Sequence, residues 1–143
     1  MSKPEAKDLL LNSYLDEYGR VKTSLGIGQN SFEMKYENNN MLLFSGEALL
    51  LLKKSNLLEP EAVMRIFGGI LKCEHEVYSG LFSRHPMPYR TSPQLDVVSH
   101  DEYNGIMYAI SILQDYRDVA DDILDYYKKA GSFCDLYLSL IHI

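Results

Sequence analysis

Two segments of this chain, 40–54 and 99–113, carry apolar side chains around most of a helical circumference. Each is followed by a segment whose apolar residues form a single stripe. In the first, Met41, Leu42, Leu43, Phe44, Ala48, Leu49, Leu50, Leu51 and Leu52 leave little for water, a pattern a helix tolerates only when neighbours cover it. Its successor, 60–74, sets Ala62, Val63, Ile66, Phe67, Ile70 and Leu71 at helical spacing, with Glu61, Arg65 and Lys72 opposite. The second all-round segment spreads Tyr103, Ile106, Met107, Tyr108, Ala109, Ile110 and Ile112. Its successor, 116–129, places Val119, Ala120, Ile123, Leu124 and Tyr127 against Asp118, Asp121, Asp122 and Asp125. The pattern predicts an all-α chain of repeated hairpins, each an inner helix followed by an outer one, the repeat that builds solenoids and toroids.

The chain divides accordingly into a lead-in helix within 1–19, hairpin one at 39–75, hairpin two at 99–130 and a tail at 131–143. Leu9, Leu10, Tyr14, Leu15 and Tyr18 give the lead-in helix one apolar face, and Gly19 ends it. Ser99-His100-Asp101-Glu102 reads as a capping box that opens hairpin two, and Gly131 follows its end. Stacked helical pairs normally need at least three units, so a single domain with two is expected to be truncated. The last six residues, Leu138-Ser139-Leu140-Ile141-His142-Ile143, resemble a translated sequencing adapter, which agrees with an N-terminal fragment. The competing expectation is an apolar tail packed on the last hairpin.

Composition narrows the partners. With 14 basic against 20 acidic residues, a net charge of −6 and no Lys/Arg-rich run, the chain lacks the footprint that phosphate backbones require, so nucleic acid is not an expected partner. The apolar run 41–52 is too short to span a bilayer and is broken by Ser45, Gly46 and Glu47; the first eight residues are charged where a signal peptide is apolar. Cys73 and Cys134 make no Cys-x-x-Cys pair and have no His at ligand spacing, so two free thiols are expected, with no metal and no cofactor. Glu74-His75-Glu76 reads as a solvated helix end, Glu47 as an acid paired from a neighbouring helix, and Gly26-x-Gly28 as a flexible loop.

In an inner–outer array all inner helices point one way, so the loops that precede them share a rim above the positive helix ends. Here those loops are 20–39 and 77–98, both longer than ordinary bundle connections. The candidate catalytic residues are Asp101 with Glu37 as a general acid/base pair, or His100 with Tyr89 or Tyr103 for proton abstraction in a lyase. Candidate ligand contacts are Asn38, Arg84, His85, Tyr89 and Arg90, a mixture suited to a polysaccharide. The competing reading of Asp101 and Glu102 is that of acids favoured in any first helical turn.

The order Glu37-Asn38, Leu43-Phe44-Ser45-Gly46-Glu47, Gly80-Leu81-Phe82-Ser83-Arg84 and Ser99-His100-Asp101-Glu102-Tyr103-Asn104-Gly105-Ile106 is similar to a group of uncharacterised tailed-phage proteins. That group looks like the α/α-toroid superfamily shared by polysaccharide hydrolases and lyases. The resemblance spans residues 30 to 130. It implies a partial toroid, a rim marked by Glu37-Asn38, Arg84 and His100-Asp101, and a place in the host cytoplasm or the virion. Two functions are consistent with it: a toroid that binds or cleaves polysaccharide, or a non-catalytic virion-associated or interaction protein on the same scaffold.

Overall fold

The computed structural model describes residues 1–22, 41–76, 78–84, 86, 98 and 100–130. Among them are five α-helices: α1 (Lys3–Ser13), α2 (Met41–Lys54), α3, α4 (His100–Ile112) and α5 (Arg117–Ala130). Helix α3 is composite, running through Pro60–Ala62, a π turn at Val63–Phe67 and Gly68–Leu71. A 3-10 turn, Gln114–Tyr116, joins α4 to α5. The described residues contain no strand, only isolated bridges at Leu15–Val21 and Glu74–Phe82, so the all-α expectation holds.

The core is built on the contact between α2 and α4. A Cβ placed on Gly46 would collide with the Gly105 backbone, and one on Gly105 would collide with Leu42 and Leu43, so the two helices touch backbone to backbone. Leu42, Leu49, Leu52, Ile106 and Ala109 close over this crossing, joined by Ala62, Ile66, Phe67 and Ile70 from α3 and Val119 and Ile123 from α5.

Several contacts fix the direction of the helices. The Val21 N–H donates to Ser45 Oγ in the first turns of α2 (2.8 Å). Gly69, near the end of α3, lies against the Tyr18–Arg20 backbone. Arg20 also reaches the Arg84 carbonyl, and Arg84 reaches Glu102 in the first turn of α4. The starts of α2 and α4 therefore lie at one end of the molecule with the end of α3. The Gly46–Gly105 crossing agrees: Cβ vectors tilt toward a helix's N-terminus, and both steps lead toward the starts of α2 and α4 only when the two run the same way.

The structure departs from the sequence-based expectation at several elements. Helix α1 stops at Ser13 instead of near Tyr18, because Asp16 Oδ1 accepts the Tyr18 and Arg20 N–H groups (2.9 Å each) and turns the chain, with Gly19 at φ +97°. The helix expected to Glu74 ends at Leu71, and Glu74 bridges to Phe82. The inner helices are not covered all round: Phe44 and Leu51 of α2, and Met107 and Tyr108 of α4, are exposed. On α5 the buried stripe is Val119, Ile123 and Tyr126, while Leu124 and Tyr127 face outward. Glu102, read as a capping acid, is fully buried. Ser99, its expected capping partner, lies outside the described residues, as do the 131–143 tail and Cys134.

Candidate functional site

The end where α2 and α4 begin is assembled from the 14–22 turn, the 73–84 hairpin and the first turn of α4. Glu74 and Phe82 pair as a bridge, His75 donates its N–H to Leu81 O (2.7 Å) and Ser83 donates to Cys73 O (2.8 Å), closing the hairpin. Its Gly80, at φ +86°, backs onto Asp122 of α5 so closely that no side chain fits. The Phe82 N–H donates to Tyr103 Oη (3.1 Å), and the two rings meet edge to face, which seats the hairpin on α4. Arg84 is thereby delivered to the start of α4.

Beneath this end is a polar cluster in the core. Arg20 is fully buried; its Nε donates to Asp16 Oδ2 (2.9 Å), Nη2 lies 2.8 Å from the same oxygen, and Nη1 donates to Arg84 O (2.8 Å). Burial opposes the guanidinium charge, but Cys73 and Asp16 outweigh it and hold its pKa above the ordinary value. The buried Cys73 thiol is pushed up to about 11 by burial, with Arg20 acting against the shift and Glu102 and Asp16 adding to it. At neutral pH it is therefore a protonated thiol, not a nucleophile, and the ion pair to Arg20 is made by Asp16. Glu102 is also fully buried, with Oε1 3.6 Å from Arg84 Nε; the Arg84 side chain keeps 22% of its surface in solvent.

Tyr103, one of the two expected partners of His100, is buried with its Oη accepting the Phe82 N–H, and the other sequence-predicted residues divide into two groups. Arg84, His100 and Asp101 are brought to the same end, with His100 and Asp101 exposed in the first turn of α4 and Arg84 drawn toward Glu102. Glu37, Asn38, His85, Tyr89 and Arg90 lie outside the described residues. Asp16, Arg20 and Glu102, which organise this end, were missed as site residues by sequence reasoning. The available signal was the Asp16/Arg20 pair flanking Gly19, a turn closed by a carboxylate and a guanidinium. The open side of α4 carries His100, Asn104 and Tyr108 at four-residue intervals with Asp101 beside them. The described residues hold no group of three His, Cys, Asp or Glu suited to a metal ion, and no helix among them is long and apolar enough to cross a membrane. No family model matches the chain, and no curated protein or solved structure is significantly similar to it.

Proposed function

We propose that the chain is a saccharide-binding part of an α/α-toroid-like scaffold of tailed-phage type, with the ligand at the end where α2 and α4 begin. The observation that carries this reading is the open side of α4, where an imidazole, a carboxamide and a half-exposed phenol follow one another up the helix. Asp101 and Arg84 stand at its foot. Hydroxyl-rich ligands are held by such mixtures, with hydrogen bonds to the polar groups and sugar faces against an aromatic ring. The shared direction of α2 and α4, each followed by an outer helix, supports the toroid-like arrangement. Two helix N-termini at one end also favour an electron-rich ligand there.

Binding fits this geometry better than cleavage. Acid–base cleavage is usually carried out by groups enclosed with the substrate away from bulk water, and His100 and Asp101 stand exposed in the first turn of α4. Affinity electrophoresis against a panel of neutral and acidic polysaccharides tests the reading. At least one polymer should retard the protein, and Asp101→Asn or His100→Gln should abolish the retardation while stability stays within about 0.5 kcal/mol. Equal migration of wild type and variants on every polymer would overturn it.

A further inference from the structure

Between α1 and the C-terminal half of α2 lies an apolar cleft of about 260 Å³, away from the proposed ligand site. Lys3, Ala6, Lys7 and Leu10, one helical stripe of α1, form one wall, and Ala48, Leu51 and Leu52 of α2 form the other. Asn56, at φ +58°, turns the chain after α2, and the Leu57 N–H donates to Leu52 O (2.9 Å), which brings Leu57 into the lining. A second cleft of about 290 Å³ shares Ala48 and Leu51 and continues along α2 to Phe44, with Val21 in its lining. The two form one trough against α2, about 16 Å long from Phe44 to Ser55 at 1.5 Å per residue.

We propose that this trough binds a single-chain fatty carboxylate, with the alkyl chain lying along α2 and the carboxylate at Lys3. Two features select this class of ligand. The α2 backbone is bonded within its own helix, so the amides of an extended peptide laid here would lose water and gain no partner. An alkyl chain has no such groups to satisfy, and a long concave apolar site with few polar groups suits it. Charge then places the head group. Lys7 is paired with Glu59 (2.9 Å), whereas Lys3 is exposed and has no carboxylate paired with it among the described residues. A carboxylate at that end therefore meets a free ammonium group, in a chain whose net charge is otherwise −6. The Lys3 stem lines the apolar cleft, as lysine stems do when the charged head stays in water.

This inference uses no residue of the proposed saccharide site, so either can fail alone. Isothermal titration calorimetry with decanoate, kept below its micelle concentration, should show one saturable site per chain with a Kd below about 1 mM. Decyltrimethylammonium, with the same chain and the opposite charge, should bind about tenfold or more weakly, and Lys3→Glu should erase that preference. Leu51→Glu, on a side chain 63% exposed, should keep the helical circular dichroism and abolish decanoate binding. Bound decanoate spans α1 and α2, so it should also slow hydrogen exchange of the α1 amides. Absence of saturable binding up to about 1 mM would overturn the proposal. So would an affinity unchanged by Leu51→Glu, the mark of adventitious binding elsewhere on the surface. Equal affinity for the two amphiphiles, or a preference that survives Lys3→Glu, would overturn the carboxylate at Lys3 and with it the ligand class.

Discussion

Arg20 illustrates how one side chain settles what its neighbours do. A guanidinium without solvent is tolerable only if it is paired and most of its donors are used; Asp16 accepts from Nε and lies against Nη2 as an ion pair, and the Arg84 carbonyl accepts from Nη1, while Nη2 makes no hydrogen bond. Arg20→Met should therefore cost about 3–5 kcal/mol in urea denaturation, because it strands Asp16 and the Arg84 carbonyl together. Asp16→Asn should cost less, since the amide oxygen can still accept the Tyr18 and Arg20 N–H groups that close the turn. Equal losses for the two variants would contradict the pairing. The sequence pattern reads Arg20 as the first residue of a loop and Asp16 as part of a helix, and the two opposite charges around Gly19 were its one signal of the turn. Glu102 was hidden for a different reason. An acid three residues after a serine at a helix start has a complete local explanation as a cap, and the approach of Arg84 to its buried carboxylate is visible only in three dimensions.

The elements were legible to the extent that their periodicity reports burial on one side. The apolar stripe of α3 is found as expected, with Ala62, Ile66, Phe67 and Ile70 buried. On α5 the apolar face read from the sequence is wider than the strip the core covers, which leaves Leu124 and Tyr127 outside. The close approach of α2 and α4 was not legible, because a glycine in an apolar helix looks the same whether or not another backbone lies against it. Substitution distinguishes these cases. Gly46→Ala and Gly105→Ala should each lose about 1–3 kcal/mol or more by forcing the helices apart. Gly68→Ala, with open space around its Cβ, should gain about 0.5–1 kcal/mol from helix propensity. The seam between the 73–84 hairpin and α5 makes a pH prediction. Burial, then Asp122 and Asp118, raise the Glu74 pKa against the opposing Gly80 N–H. A raised folded-state pKa stabilises the fold below the ordinary glutamate range, and that contribution is lost as pH rises through the folded value. Glu74→Gln should thus be the more stable protein at pH 7, by no more than about 1 kcal/mol given solvent screening. The advantage should vanish near about pH 4 in melts across that range.

Across the whole molecule, stability is layered around the α2–α4 crossing, and the layers need not open together. Helix α1 contributes one buried residue, Leu11, and a half-buried one, Leu10, to the core, and is otherwise held by its Ser2 cap and a surface Lys7–Glu59 pair. The 14–22 turn that follows belongs to the core instead: its Leu15 is buried, Arg20 is fixed by Asp16, and the Val21 N–H is bonded to Ser45 in α2. The mechanical boundary therefore falls between Ser13 and Asp16, inside the segment that the sequence pattern joins into one helix. Native-state hydrogen exchange should show α1 amides exchanging through a local opening that barely depends on urea. The amides of Arg20 and Val21 should exchange only with the global unfolding that frees α2 and α4. Arg20→Met should move those two amides into the α1 class while leaving mid-α2 amides in the slowest class. Protection that declines smoothly from α2 through the turn into α1, unchanged by the substitution, would mean that the buried guanidinium does not divide the molecule in this way.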